Sequence, residues 1–97
     1  MELCKADIVM ALCGRDQGKL FYVIGTEGVY VLIADGKGRT IEHPKRKKLK
    51  HIQMVARTEN HVAEKLRRGE KVLNSELRRD LAVFRRDHPC QNQGGFN

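Results

Sequence analysis

The sequence predicts a mostly β fold, a small barrel of five short strands followed by an α-helical C-terminal extension of two short helices. Two observations lead there. Short apolar runs rich in Val, Ile and aromatics recur at roughly ten-residue spacing with Gly-rich turns between them, the pattern of small barrels and sandwiches. Beyond residue 57 the apolar spacing changes to the three-and-four repeat of an amphipathic helix. A chain of 97 residues has room for one core. An SH3-like barrel is the simplest form that limits the exposed edges of so few strands.

The first three strands are read at Ile8 to Cys13, Leu20 to Ile24 and Val29 to Ala34. Gly14 to Lys19 and Thr26 to Gly28 join them as hairpin turns, with glycine supplying positive φ. Cys13 reads as a small buried hydrophobe, Cys4 and Cys90 as exposed thiols. Phe21 and Tyr22 are neighbours on a strand and must face opposite sides, which assigns one to the core and the other to the surface. After the turn Asp35 to Gly38, Arg39 to Glu42 is expected as a short fourth strand ended by Pro44, and His51 to Arg57 as the fifth. Val62, Ala63 and Leu66 then share one helix face before Gly69, and Leu73, Leu77, Leu81 and Phe84 share another, with Asn74 or Ser75 as its cap. The chain divides into a barrel over 1–57 with a basic loop at 43–51, a helical extension over 58–87 and a flexible tail over 88–97.

Charge is unevenly spread along this plan. The chain carries 19 Lys and Arg against 12 Asp and Glu, a net +7, which favours polyanionic partners. Residues 1–42 hold five basic and six acidic side chains, whereas 43–51 holds Lys45, Arg46, Lys47, Lys48 and Lys50 with no acid. Residues 60–87 add eight basic and five acidic groups, a balance that a salt-bridged helical surface carries without any ligand. Arg67, Arg68, Arg78, Arg79, Arg85 and Arg86 fall there in three pairs, read equally well as a solvated face or as a continued RNA-contacting surface.

Several function classes find no support. The three cysteines are odd in number and widely spaced, which argues against a disulfide framework, and with the four histidines they lack zinc-ligand spacing. No paired carboxylates, Ser-His-Asp set or Cys-His set is present, so no catalytic residues, metal or cofactor are expected. Gly14 to Leu20 lacks the spacing, the hydroxyl after the lysine and the following helix of a P-loop. With no apolar run of about 18 residues and no signal-peptide layout in Met1 to Lys5, a cytoplasmic protein without membrane attachment is expected.

The stretch Asp7 to Ile24, with the loop Gly14-Arg15-Asp16-Gln17-Gly18-Lys19, and its closing strand Val29 to Ala34 with Asp35-Gly36-Lys37, resembles a KOW motif. Gly18 occupies the glycine position that marks the motif. The likeness is greatest to archaeal and eukaryotic large-subunit ribosomal proteins with an SH3-like barrel, and it extends through Pro44 to His51 to about residue 57. It implies binding of rRNA or another ribosome-associated structured RNA, with Gly14, Arg15, Asp16, Gln17, Gly18 and Lys19 as the loop that approaches RNA.

The residues themselves admit that implication beside a plainer one, an ordinary charged hairpin turn at 14–19 and a solubilising edge that blocks strand pairing at 45–51. Glycines leave backbone N–H groups accessible beside Arg15 and Lys19, a combination suited to phosphate. Lys45, Arg46, Lys47, Lys48, Lys50 and His51 concentrate charge that would release counterions on meeting RNA, with Lys37 and Arg39 nearby in the chain. Five aromatic residues allow few stacked bases, with Tyr22 or Tyr30 the candidates, so phosphate and shape recognition of structured RNA is favoured. The alternative is a protein-interaction module of the transcription or translation machinery, with the helices over 60–86 docking on a partner.

Overall fold

A computed structural model describes residues 3–87 as a β-rich α+β domain. The expected tail over 88–97, with Cys90, lies outside the described residues. Along the chain come β1 (Asp7–Ala11), β2 (Leu20–Glu27), β3 (Tyr30–Ala34), β4 (Lys45–Lys48), a 3-10 turn (Leu49–His51), β5 (Ile52–Arg57), α1 (His61–Arg68) and α2 (Asn74–Asp87). The strands form one antiparallel sheet in the order β4-β3-β2-β1-β5, a meander whose last strand returns beside the first. Register shifts between Val23 and Gly25 on β2 and between Ile8 and Val9 on β1 bend the ladder.

Strand alternation sorts the apolar side chains onto two faces, and both are buried. Val9, Ala11, Phe21, Val23, Val31, Ile33 and Ile52 make one cluster that contains no helical residue. Ile8, Leu20, Tyr22 and Ala34 point the other way and meet Val62, Ala63, Leu66, Val72, Leu77 and Leu81 from the helices and their connection. The helices therefore complete the domain as its second layer.

That layer corrects the reading of Phe21 and Tyr22, because both are 0% exposed. Burying a tyrosine demands a partner for its hydroxyl. Tyr22 Oη donates to Asp80 on α2, and Asn60 Nδ2 donates to Asp80 Oδ2 at 2.9 Å and to Tyr22 Oη at 3.2 Å. Burial first, and the Asp80 carboxylate second, push the phenol well above its ordinary range. Asn60 also caps α1 by accepting from the Ala63 amide at 2.8 Å, so one side chain sets the helix start and its fit against the sheet.

The fourth strand is displaced from its expected position. Arg39 to Glu42 is not a strand; β4 is Lys45–Lys48, and Pro44 precedes it. Asp35 Oδ1 accepts the amides of Lys37 and Arg39 at 2.9 and 3.0 Å, while the Arg39 carbonyl takes those of Asp35 and Gly36. The Ile41 amide goes to Asn74 Oδ1 at 2.8 Å. These bonds spend the segment on a turn and on contact with α2, leaving no ladder of donors for a neighbouring strand. The first strand ends at Ala11, so Cys13 lies in the loop beyond it and is half-buried, while Cys4 is exposed as expected.

Neither Asn74 nor Ser75 caps α2 in the expected way. Asn74 is turned toward the 41–42 segment, and the end is closed by Glu76, whose Oε1 accepts from the Leu73 amide at 2.8 Å in half of a capping box. Glu76 Oε2 also accepts from Lys65 Nζ of α1 at 3.0 Å. The Leu73 amide first, and Lys65 second, hold this carboxyl below its ordinary 4.5. A carboxylate depressed in the folded state contributes stability that is present above 4.5 and is lost as pH falls through the folded value. In urea unfolding at about pH 6 and about pH 3, the wild type is expected to lose more stability on acidification than Glu76→Gln. Identical acid losses in the two proteins would remove this role from Glu76.

Candidate nucleic-acid interface

The loop after β1 is held in shape by its own backbone. The Gln17 amide donates to the Gly14 carbonyl, Lys19 to Asp16 and Gly18 to Ala11, at 3.2, 2.9 and 2.9 Å. Gly14 and Gly18 have φ of +84° and +86°, as the hairpin reading requires. Arg15, Gln17 and Lys19 are exposed, whereas Asp16 is half-buried. Its carboxylate lies 3.6 Å from Lys19 Nζ and 4.0 Å from Arg39 Nε, where it orients two cations from different turns.

The basic segment, expected as a loop over 43–51, is instead an edge strand followed by a 3-10 turn. Pairing with β3 sets Lys45 opposite Ile33, Arg46 opposite Leu32, Lys47 opposite Val31 and Lys48 opposite Tyr30. Lys45 and Lys47 are half-buried, and Arg46, Lys48 and Lys50 are exposed. A lysine-rich edge also discourages pairing with other chains, a function these residues serve whatever they bind. The Arg46 guanidinium sits 4.3 Å from the centre of the Tyr30 ring, with Nη1 3.9 Å from Glu27 Oε1. Tyr30 thus presents a ring face already covered by a cation. Of the two aromatics considered for base stacking, Tyr22 is buried and Tyr30 is engaged.

Two hydrogen bonds join the residues just before the loop to β4 and the turn after it. Lys47 Nζ donates to the Cys13 carbonyl at 2.9 Å across 34 positions of sequence. The Leu12 amide donates to the His51 carbonyl, also at 2.9 Å. Gly14 packs close by, since a Cβ there would stand 3.3 Å from Lys47 Nζ. Arg15, Lys19, Arg46, Lys48 and Lys50 are therefore carried by segments fixed to one another. Leu12 and Leu49 are partly exposed among them, at 40% and 38%.

Lys37 and Arg39 are placed differently from the rest of the candidate set. They belong to the 35–39 turn, which joins the loop through the Arg39–Asp16 contact and reaches α2, where Arg78 Nη1 donates to the Gly36 carbonyl at 2.6 Å. Gly14 to Lys19 is consequently the middle of the arrangement, with β4 on one side and the turn on the other.

Among the described residues no group of three or more His, Cys, Asp and Glu is placed to hold a metal ion, and no helix is long and apolar enough to cross a membrane. Comparison with protein-family models gives no match, and comparison with curated proteins gives none either.

Proposed function

We propose that this is a non-catalytic RNA-binding protein that grips structured RNA by its backbone with the Gly14 to Lys19 loop and the Lys45 to His51 segment. The observation that carries the reading is the attachment of these two segments through the Lys47–Cys13 and Leu12–His51 hydrogen bonds. Cations held in a fixed relation bind phosphates with less ordering cost than the same cations on free loops. Five antiparallel strands with a buried cluster free of helical residues on one face of the sheet also support an SH3-like barrel, and the KOW resemblance adds rRNA or ribosome-associated RNA in the cytoplasm as its target.

Crosslinking in cells followed by sequencing of the attached RNA tests this. Wild-type protein is expected to enrich discrete rRNA positions, and a variant neutralised at Arg46, Lys48 and Lys50 to lose them. RNA recovery that is absent, or indifferent to those residues, would replace this reading with that of a protein-interaction module.

A further inference from the structure

A cleft of about 870 Å³ opens between the Gly14 to Lys19 loop, the 35–39 turn and α2. Its cationic lining comes from three separate parts of the chain: Lys19, Lys37 and Arg39 from the two turns, Arg78 and Arg85 from the helix. Arg78 and Arg85 are seven positions apart in sequence, two turns of helix, and so lie on one face of α2. Leu20, Leu81 and Ala82 supply apolar walls.

The two acids of the lining are already engaged. Asp35 Oδ1 accepts two backbone amides of its own turn, and Asp16 faces Lys19 and Arg39. Arg78 is held against the Gly36 carbonyl. Among the described residues, the side chains of Lys37 and Arg85 make no hydrogen bond or ion pair within the protein, and both are exposed. The lining carries five cations against these two acids, an excess of positive charge that an anion seated between them would relieve.

We infer that this cleft is a second phosphodiester-binding site, where the backbone of the same RNA passes from the Gly14 to Lys19 loop onto α2. The inference rests on the RNA-binding reading. It is carried by Lys19, which stands both on the loop fixed to β4 and in the lining of the cleft. Such a path makes α2 a part of the RNA interface, and it gives a role to Lys37 and Arg39, which stand in the cleft lining on the 35–39 turn. Phosphate contact without base contact also fits a lining of guanidinium and ammonium groups.

The test compares three variants with wild type for binding to an A-form RNA hairpin over a salt series: Lys37→Gln with Arg85→Gln in the cleft, Lys71→Gln with Arg79→Gln outside it, and Arg46→Gln with Lys48→Gln and Lys50→Gln on β4 and the turn after it. The cleft pair is expected to weaken binding roughly ten-fold at about 0.1 M salt and to lower the salt slope by about 1.5, the release expected for two phosphate contacts. The outside pair removes the same charge and is expected to do much less. Equal effects from the two pairs, or none from the cleft pair while the β4 variant is impaired, would overturn the second site and leave the first. Failure of wild type to bind the hairpin would overturn both, because every arm would then be flat. Circular dichroism of each variant separates lost contacts from lost folding.

Discussion

Replacing Gly36 with alanine is expected to destabilise this domain strongly although it adds only one carbon. Gly36 is buried with φ of +79°, where a side chain is strained before any neighbour is counted. The added Cβ would collide with the Asn74 carbonyl oxygen and stand 3.0 Å from Leu77 Cβ, at the first turn of α2. Backbone cannot move aside there cheaply, because Ile41 binds Asn74 and Arg78 binds the Gly36 carbonyl on either side of the contact. Left-handed strain of about 1 kcal/mol and overpacking of about 1–3 kcal/mol give a loss of about 2–4 kcal/mol. For a domain of this size that corresponds to a fall in Tm of roughly 10–25 °C. Gly38→Ala is the matched control, with no positive φ and no atom within 4 Å of the added carbon, and is expected to stay within about 0.5 kcal/mol of wild type. Equal melting of the two variants would show that the close seat of α2 on the 35–39 turn does not support the fold.

The second large effect is expected on binding rather than folding. Exchanging Arg46, Lys48 and Lys50 for glutamine removes three exposed cations from β4 and the turn after it. Three lost phosphate contacts lower the salt slope by about 2–3 and weaken binding to structured RNA about a hundred-fold at about 0.1 M salt. The loss should be the same for unrelated hairpin sequences, since phosphate contacts carry no base information. Lys47 is left in place because its bond to the Cys13 carbonyl holds the loop, and its loss would mix a structural effect with an electrostatic one. Stability should change little, the Arg46–Tyr30 contact being worth about 0.5–1 kcal/mol at an exposed site. Filter binding across a salt series checks the slope, and a slope equal to that of wild type would clear this edge of any part in RNA contact.

How far the sequence discloses the fold varies with the physics that forms each element. The first three strands and both helices are visible as apolar periodicity, because burial of one face forms them. β4 is invisible to that signal, consisting of Lys-Arg-Lys-Lys and owing its conformation to pairing with β3. Arg39 to Glu42 misleads in the opposite sense, its amides being drawn to Asp35 and Asn74 by contacts that no local pattern displays. The rule that puts one of Phe21 and Tyr22 in the core and the other on the surface holds for a sheet with one wet face, and here both side chains are covered, Tyr22 by the helices. At the candidate interface the residue types are plain in the sequence, whereas the bond that brings Lys47 to Cys13 spans 34 positions. Arg78 and Arg85 share the cleft with Lys37 for the same reason: the 35–39 turn and α2 meet only in the folded chain.

The return of β5 to the side of β1 bears on the order in which the chain assembles. Neighbouring strands β1, β2 and β3 pair across turns of a few residues, but the Asp7–Arg57 contact closes a span of 50. Closing a segment that long costs about 2 kcal/mol more in chain entropy than closing a hairpin turn. The meander can therefore form by local zipping, with the β1–β5 ladder as the late and expensive step. β4, which pairs only with β3, belongs to the part of the sheet whose assembly does not wait for that step. The Lys47–Cys13 and Leu12–His51 links, which fix the cationic segment to the chain just before the loop, share with the β1–β5 ladder the need for the ends of the meander to meet.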